Sequence, residues 1–352
     1  MSPFREASAV SARRPTGMKK SNLLLAALGL AVFFFTASQL GWQSIWEQLR
    51  RIGWAILLVA AMRTGSQLLF ALAWAWTIPA SARRVPFFDL FRIRLAGEAI
   101  NYLIPSGTFG GEPLKAKLLS PSIGLANGLA GVAVGKFSQI LAQLVVMVAG
   151  GLFASFTLSV PSDVKAAMFA ALAVIGVGLG AIYVGQRRGM FGWLAQHLVR
   201  LRVGGRFIEP RIEKLRKLDL IISEIHTGQP GKFAASLAFN ALGWLGGAVE
   251  VFVVLWLLGT PRSAGTAFVI EAMSLIISAA LFLVPWQAGT QEAGKALIFG
   301  LCGLSPASGF AVGLIQRLRD MIWAGIGLLC LATFRDDDSR PGVPSKSRLR
   351  FL

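Results

Sequence analysis

Two stretches, Pro105–Ala116 (PSGTFGGEPLKA) and Pro285–Ala296 (PWQAGTQEAGKA), decide how this chain is read. Aligned on their prolines, Glu112 coincides with Glu292, Lys115 with Lys295 and Ala116 with Ala296. Helix-breaking proline and glycine stand beside charge inside otherwise apolar sequence. Ionisable groups at such places are costly in a bilayer and default to pairing or function. A cation follows each stretch at nearly the same distance, Lys136 after the first and Arg317 after the second.

Working outward, the sequence around both stretches is that of a membrane protein. Of 352 residues, 55% are hydrophobic and only 15% charged, and the mean hydropathy is +0.63. A soluble chain of this length needs more polar surface. Apolar runs occur at about 23–41, 53–78, 89–104, 125–158, 164–185, 232–259, 266–284 and 306–333, and roughly 20 apolar residues cross a hydrocarbon core. The first run is too long for a signal-peptide core and is read as a retained anchor. The net charge of +18 sits in the gaps between runs, where topology requires it, so nucleic acid is not expected as a partner. Cys302 and Cys330 lie in apolar sequence, which excludes a disulfide framework.

Arginine and lysine set the expected sidedness. The N-terminal stretch (Arg5, Arg13, Arg14, Lys19, Lys20), the segment 187–231 and the tail (Arg335, Arg340, Lys346, Arg348, Arg350) are basic and are placed in the cytoplasm. Counting crossings between these regions leaves one run too many in each half. The count closes if 89–119 and 266–302 are re-entrant hairpins entering from opposite faces. The expected fold class is therefore an all-α polytopic membrane protein with about six full transmembrane helices and two re-entrant helical hairpins in an inverted-topology repeat. Residues 1–18 and 336–352 are expected to be disordered cytoplasmic termini around one transmembrane domain at 19–335. That domain holds repeat one at about 53–158, the basic loop 187–231 and repeat two at about 232–334.

In inverted-repeat transporters the substrate site lies near the midplane, between broken helices whose N-terminal ends face anionic groups. The candidate substrate-binding or gating residues are accordingly those of the two hairpins. Glu98, Asn101, Pro105, Gly107, Gly110, Gly111, Glu112, Lys115 and Lys136 belong to the first; Glu271, Pro285, Gly289, Glu292, Lys295 and Arg317 belong to the second. The plainer alternative makes proline and glycine a tight turn and each glutamate a dipole-favoured first-turn residue. Lys136 and Arg317 either neutralise Glu112 and Glu292 or offer cations to an anionic lipid, Arg63 and Glu250 are read as a structural ion pair, and Arg92 and Arg94 as interfacial or gripping a headgroup phosphate. Glycines 131 and 135, 176 and 180, and 243 and 247 have small-xxx-small spacing, which serves close helix packing. Trp42, Trp54, Trp76 and Trp256 suit interfacial belts.

The first motif, Gly97-Glu98-Ala99-Ile100-Asn101-Tyr102-Leu103-Ile104-Pro105-Ser106-Gly107 with Gly110-Gly111-Glu112-Pro113-Leu114-Lys115, resembles the lysylphosphatidylglycerol synthase transmembrane, flippase-like family. The resemblance covers about 20–335. In the second motif Pro285, Gly289, Glu292 and Arg317 agree, but Trp286 and Gln287 stand where glycine is expected. The resemblance implies translocation of aminoacylated or other anionic-headgroup phospholipid across the cell (inner) membrane. Hopanoid-related substrates are implied by a stand-alone subgroup. Longer relatives carry an aminoacyltransferase domain, expected to be absent here because the chain ends soon after the last run. No HExxH, GxSxG, metal cluster or nucleotide-binding motif is present, so no enzyme activity, metal or cofactor is expected. Membrane lipids are the expected partners. The rival readings are a membrane-embedded lipid-modifying enzyme with a glutamate as base, and a scaffold that docks lipid-synthesis enzymes on 187–231.

Overall fold

The computed structural model describes residues 31, 33–79, 82, 85–103, 110–158, 162–201, 209–260, 262–281, 284, 287 and 289–338. Every regular element among them is helical. α1 (Trp42–Ile52) leads into α2 (Ala55–Ala75), the short pair α3 (Phe87–Leu103) and α4 (Glu112–Ile123), and then α5 (Leu125–Thr157). α6 (Ser162–Arg188), α7 (Met190–Arg200), a 3-10 turn at Glu209–Arg211 and α8 (Ile212–Gly228) follow. The chain then runs through α9 (Pro230–Leu257), a second short pair, α10 (Ala264–Ala280) and α11 (Thr290–Leu301), and α12 (Pro306–Asp338).

The two halves share a pattern of lengths. α2 to α5 have 21, 17, 12 and 33 residues; α9 to α12 have 28, 17, 12 and 33. They also pack by one scheme. α2 lies along α9; α3 packs on α12 as α10 packs on α5; and α4 packs on α5 as α11 packs on α12. The packing glycines correspond as well. Gly150 lets Ala272 of α10 press against α5, and Gly327 does the same on α12 for Ala99 and the Leu95 carbonyl of α3. The glycine spacing reading needs one correction. Gly135 and Gly243 take up the rings of Trp74 and Phe70, at 2.7 Å from where a Cβ would lie, but nothing lies within 4 Å of such a Cβ at Gly180. Gly176 meets Leu144 of α5 at 3.7 Å, so of that pair only Gly180 has no neighbour there.

Among the described residues, four stretches are long and apolar enough to cross a bilayer: α2, α5, residues Lys165–Arg188 of α6, and α9. The arms of the short pairs are not. At 1.5 Å per residue a 17-residue arm rises about 26 Å and a 12-residue arm about 18 Å, against a core about 30 Å thick. α12 has the length to span but carries Arg317, Arg319 and Asp320 near its middle. The main apolar core joins Val251, Val254 and Leu255 of α9 to Val269 and Ile270 of α10, Phe299 of α11 and Ile315 of α12. Trp42, Trp54, Trp76 and Trp256 are all exposed. Of the ends expected to be disordered, 1–18 and 339–352 lie outside the described residues, and 336–338 belong instead to the last turn of α12.

Between the halves, α7 and α8 form a small basic module. α7 begins two residues after α6 ends, beyond Gly189 with φ of 87°. Asp219 of α8 satisfies the first turn of α7, accepting from Phe191 N at 3.0 Å and Gly192 N at 2.6 Å. Leu218, Ile222 and Ile225 of α8 pack on Ala130 and Val134 of α5. His226 is buried among Tyr183, Phe137 and Phe233, with Nε2 2.8 Å from Gln186 Oε1. Desolvation and the neighbouring Arg187 push its pKa down to about 4.

Candidate functional site

The first short pair gathers a compact charge cluster. Glu112 opens α4, with Pro113 beside it where a missing N–H costs nothing. Lys115, one turn on, donates to Glu98 Oε1 of α3 at 2.6 Å and to Glu112 Oε1 at 3.1 Å. Lys136 of α5 lies 3.6 Å from Glu112 Oε1. Arg94, which the sequence reading placed at the interface, is buried instead. It donates to Gln67 Oε1 of α2 at 2.5 Å and lies 3.8 Å from Glu98 Oε1. Glu98 follows Arg94 by one helical turn on the same face, and that spacing was the available signal. Arg92 does reach outward, bonding Thr333 and lying over the Phe334 ring.

Asn101 ties this pair together. Its Oδ1 accepts from Gly111 N at 2.7 Å, and its Nδ2 donates to Glu112 Oε1 at 3.2 Å. Gly111 is glycine for a steric reason, since a Cβ there would drive into the Gly97 carbonyl. Gly97 in turn leaves room for the Lys115 stem. Gly110 is in the turn just before α4. Pro105 and Gly107, named from the sequence, lie outside the described residues.

A small cavity of about 20 Å³, room for about one water, opens beside this cluster, lined by Phe70, Trp74, Arg94, Glu112, Lys115, Val132, Gly135, Lys136, Gln139 and Asn240. Three cations and one carboxylate thus face it beside two aromatic rings. The polar residues Gln139 and Asn240 went unnoticed in the sequence, because neither lies near a helix-breaking motif. Asn240 is held by Ser138 at 3.2 Å, and Ser138 is bonded to Ser236 at 2.9 Å.

The second short pair repeats the first with different pairings. Glu292 of α11 is fully buried and takes both Arg317 Nε at 2.5 Å and Nη2 at 3.0 Å, a two-pronged pair. Lys295 is not paired to it and donates to Ser274 Oγ of α10 at 3.0 Å. Gly289, with φ of 78°, precedes α11. Gln287, where glycine was expected, has φ of 48°, a left-handed conformation that costs a non-glycine residue about 1–2 kcal/mol. Its own bonds hold it there. Nε2 donates to the Ser278 carbonyl at 2.8 Å, and its carbonyl accepts from Arg317 Nη2 at 3.2 Å. Pro285 lies outside the described residues.

A third set of charges lies between the halves. Glu250 of α9 pairs with Arg319 of α12 and accepts from Gln316 Nε2 at 3.0 Å, while Arg319 also meets Asp320 at 2.8 Å. The Arg63–Glu250 pair read from the sequence does not form. Arg63 lies over the Phe70 ring, and its Nε is buried without a hydrogen bond. Glu271 lies against Gly247, where any Cβ would strike its carboxylate. Among the described residues, no three His, Cys, Asp or Glu side chains are grouped to hold a metal ion.

A chain whose described residues are helical, with four bilayer-length apolar helices among them and ion pairs buried between helices, is a multi-pass membrane protein. Residues 6–326 match the family model described as the lysylphosphatidylglycerol synthase TM region, and the chain belongs to that family. It is also similar to a UPF0104 membrane protein of Methanothermobacter thermautotrophicus. The two are 25% identical over 322 residues, covering 86% of this chain and 91% of that one. No solved structure matches the chain.

Proposed function

We propose that this protein is a transporter that moves a lipid, or a lipid-like molecule with an anionic or aminoacylated headgroup, between the faces of the cytoplasmic membrane. The pocket at the first short pair carries this reading. Arg94, Lys115 and Lys136 face Glu112 and Glu98 there, leaving one net positive charge in a site walled by Phe70 and Trp74. A phosphate suits that excess, and the positive N-terminal end of the α4 dipole adds to it. The tails stay in lipid. A hopanoid-related substrate would need the same polar anchor.

The two halves are, on this proposal, inverted repeats of about six crossings in all, with α3–α4 and α10–α11 entering from opposite faces and both termini in the cytoplasm. Equal arm lengths and the exchanged packing scheme support it. Rocking one half against the other would expose the pocket alternately to each face. The test is movement of headgroup-labelled phospholipids in proteoliposomes, comparing wild type with Arg94→Gln and Glu112→Gln in protein that still elutes as a folded species. Loss of movement in both variants is expected. Movement unchanged in both, or none of any phospholipid class by wild type, overturns the proposal.

A further inference from the structure

Five glutamates lie on the helices of the two repeats, and the structure treats one of them differently. Glu98 and Glu112 are held by Lys115, with Arg94 and Lys136 close by. Glu292 is held by Arg317, and Glu250 by Arg319. No hydrogen bond or ion pair within 4 Å reaches the Glu271 carboxylate among the described residues.

Its surroundings are nonetheless charged. Lys295 on α11, Glu250 on α9, Arg319 on α12 and Arg63 on α2 are the charged groups that act on it. α5, also packed on α10, meets it through Val146, Met147 and Gly150, which lie against Leu275 and Ala272. Each neighbouring cation is turned elsewhere: Arg319 to Glu250 and Asp320, Arg63 over Phe70, and Lys295 to Ser274. Ser274 lies one helical turn from Glu271 on the same face of α10, about 5–6 Å away. The Lys295 ammonium can therefore reach the carboxylate by rotating its own stem.

The comparison with the first half sharpens the point. Lys115 and Lys295 match in sequence, but Lys115 is bonded to two carboxylates and Lys295 to a neutral hydroxyl. Arg94 and Glu271 occupy the same position counted from the starts of their helices, Phe87 and Ala264. The first half is thus a cation-rich, fully paired site. The second has a carboxylate and a lysine one turn apart and not joined.

We propose that Glu271 is a proton-carrying site, protonated while Lys295 is bonded to Ser274 and ionised when the Lys295 ammonium swings onto its carboxylate. Partial burial without a partner favours a carboxyl's neutral form, and a cation at contact distance favours its charged form. In the second step the Glu271 O–H bond breaks, the proton leaves to water, and lysine stays charged throughout. Resting on the transport reading above, this makes proton movement the driving reaction, with the α10–α11 pair as its carrier.

Infrared difference spectra between acid and alkaline buffers, taken on full-length protein in proteoliposomes, test the site without any lipid substrate. Wild type is expected to show a protonated-carboxyl stretch that disappears in alkali. Glu271→Gln removes that band, and Glu271→Asp shifts it, which decides the matter if the glutamine variant does not fold. A band unchanged in both variants, or no titrating band in wild type, overturns the proposal. An imposed pH gradient should also speed labelled-lipid movement several-fold in wild type and leave Glu271→Gln unaffected. Lipid movement indifferent to the gradient overturns the coupling and leaves transport standing. A Glu271 band with no lipid movement by any variant sinks transport and leaves the proton site.

Discussion

The Glu292–Arg317 pair can be broken from either side, and the structure says which break costs more. Glu292 is 0% exposed, whereas the Arg317 side chain is 23% exposed and keeps a bond to the Gln287 carbonyl. Arg317→Met leaves a fully buried carboxylate without its partner, which costs about 3–5 kcal/mol. Glu292→Gln leaves a guanidinium that reaches its surroundings, opposite an amide that can still accept from it, so only about 1–2 kcal/mol is lost. For a chain of this size about 2–3 °C follows each kcal/mol. The melting midpoint in mild detergent should fall by roughly 6–15 °C for Arg317→Met and roughly 2–6 °C for Glu292→Gln. The double variant buries no stranded charge and should be more stable than Arg317→Met alone. If Arg317→Met is no worse than Glu292→Gln, or if the double variant shows the sum of both losses, the pair is not the buried unit described here.

Three further outcomes are expected. Gly111→Ala and Gly327→Ala force a Cβ into the Gly97 and Leu95 carbonyls, backbone that cannot yield, and should sharply reduce folded protein recovered from membranes. Gly178→Ala, which meets nothing within 4 Å, should leave the yield as it is. Asp219→Ala leaves two N–H groups of α7 unbonded, a loss of about 1–2 kcal/mol, and should speed tryptic cleavage at Arg187, Arg188 and Arg200 without changing the melting of the spans. His226 stays neutral in the fold down to about pH 4, while the unfolded imidazole protonates near its ordinary value of 6.5. Unfolding therefore takes up a proton between these values. Stability is complete above about 6.5 and should drop by about 1–2 kcal/mol as pH falls toward 4, whereas His226→Phe should melt with a flatter pH profile over that window.

Much of this protein is legible in its residues. Long apolar runs can do little but become helices in a bilayer, because every backbone group must be bonded within its own segment. The runs at 53–78, 125–158, 164–185 and 232–259 accordingly became α2, α5, α6 and α9. The proline, glycine and charge pattern around Glu112 and Glu292 marked the short pairs, and the spacing to Lys136 and Arg317 marked the cations that meet those glutamates. The family resemblance implied glycine at 287, and Gln287 takes a left-handed φ there.

Partner choice is another matter. Nothing in sequence spacing sends Arg319 to Glu250 and leaves Arg63 over an aromatic ring, or turns Lys295 toward Ser274 while its counterpart Lys115 clamps two carboxylates. Those outcomes depend on how α2, α9, α10 and α12 rotate against one another. Glycine contacts set that rotation, with Gly247 opening onto Glu271 and Gly327 onto α3. Sequence by itself determined a multi-pass helical membrane protein with two charged breaks. Only the tertiary structure decided which charges are spent on each other and which, Glu271 and Arg63 included, have no ion pair among the described residues, because ion pairing between helices is settled by packing distances of a few ångströms that no single helix contains.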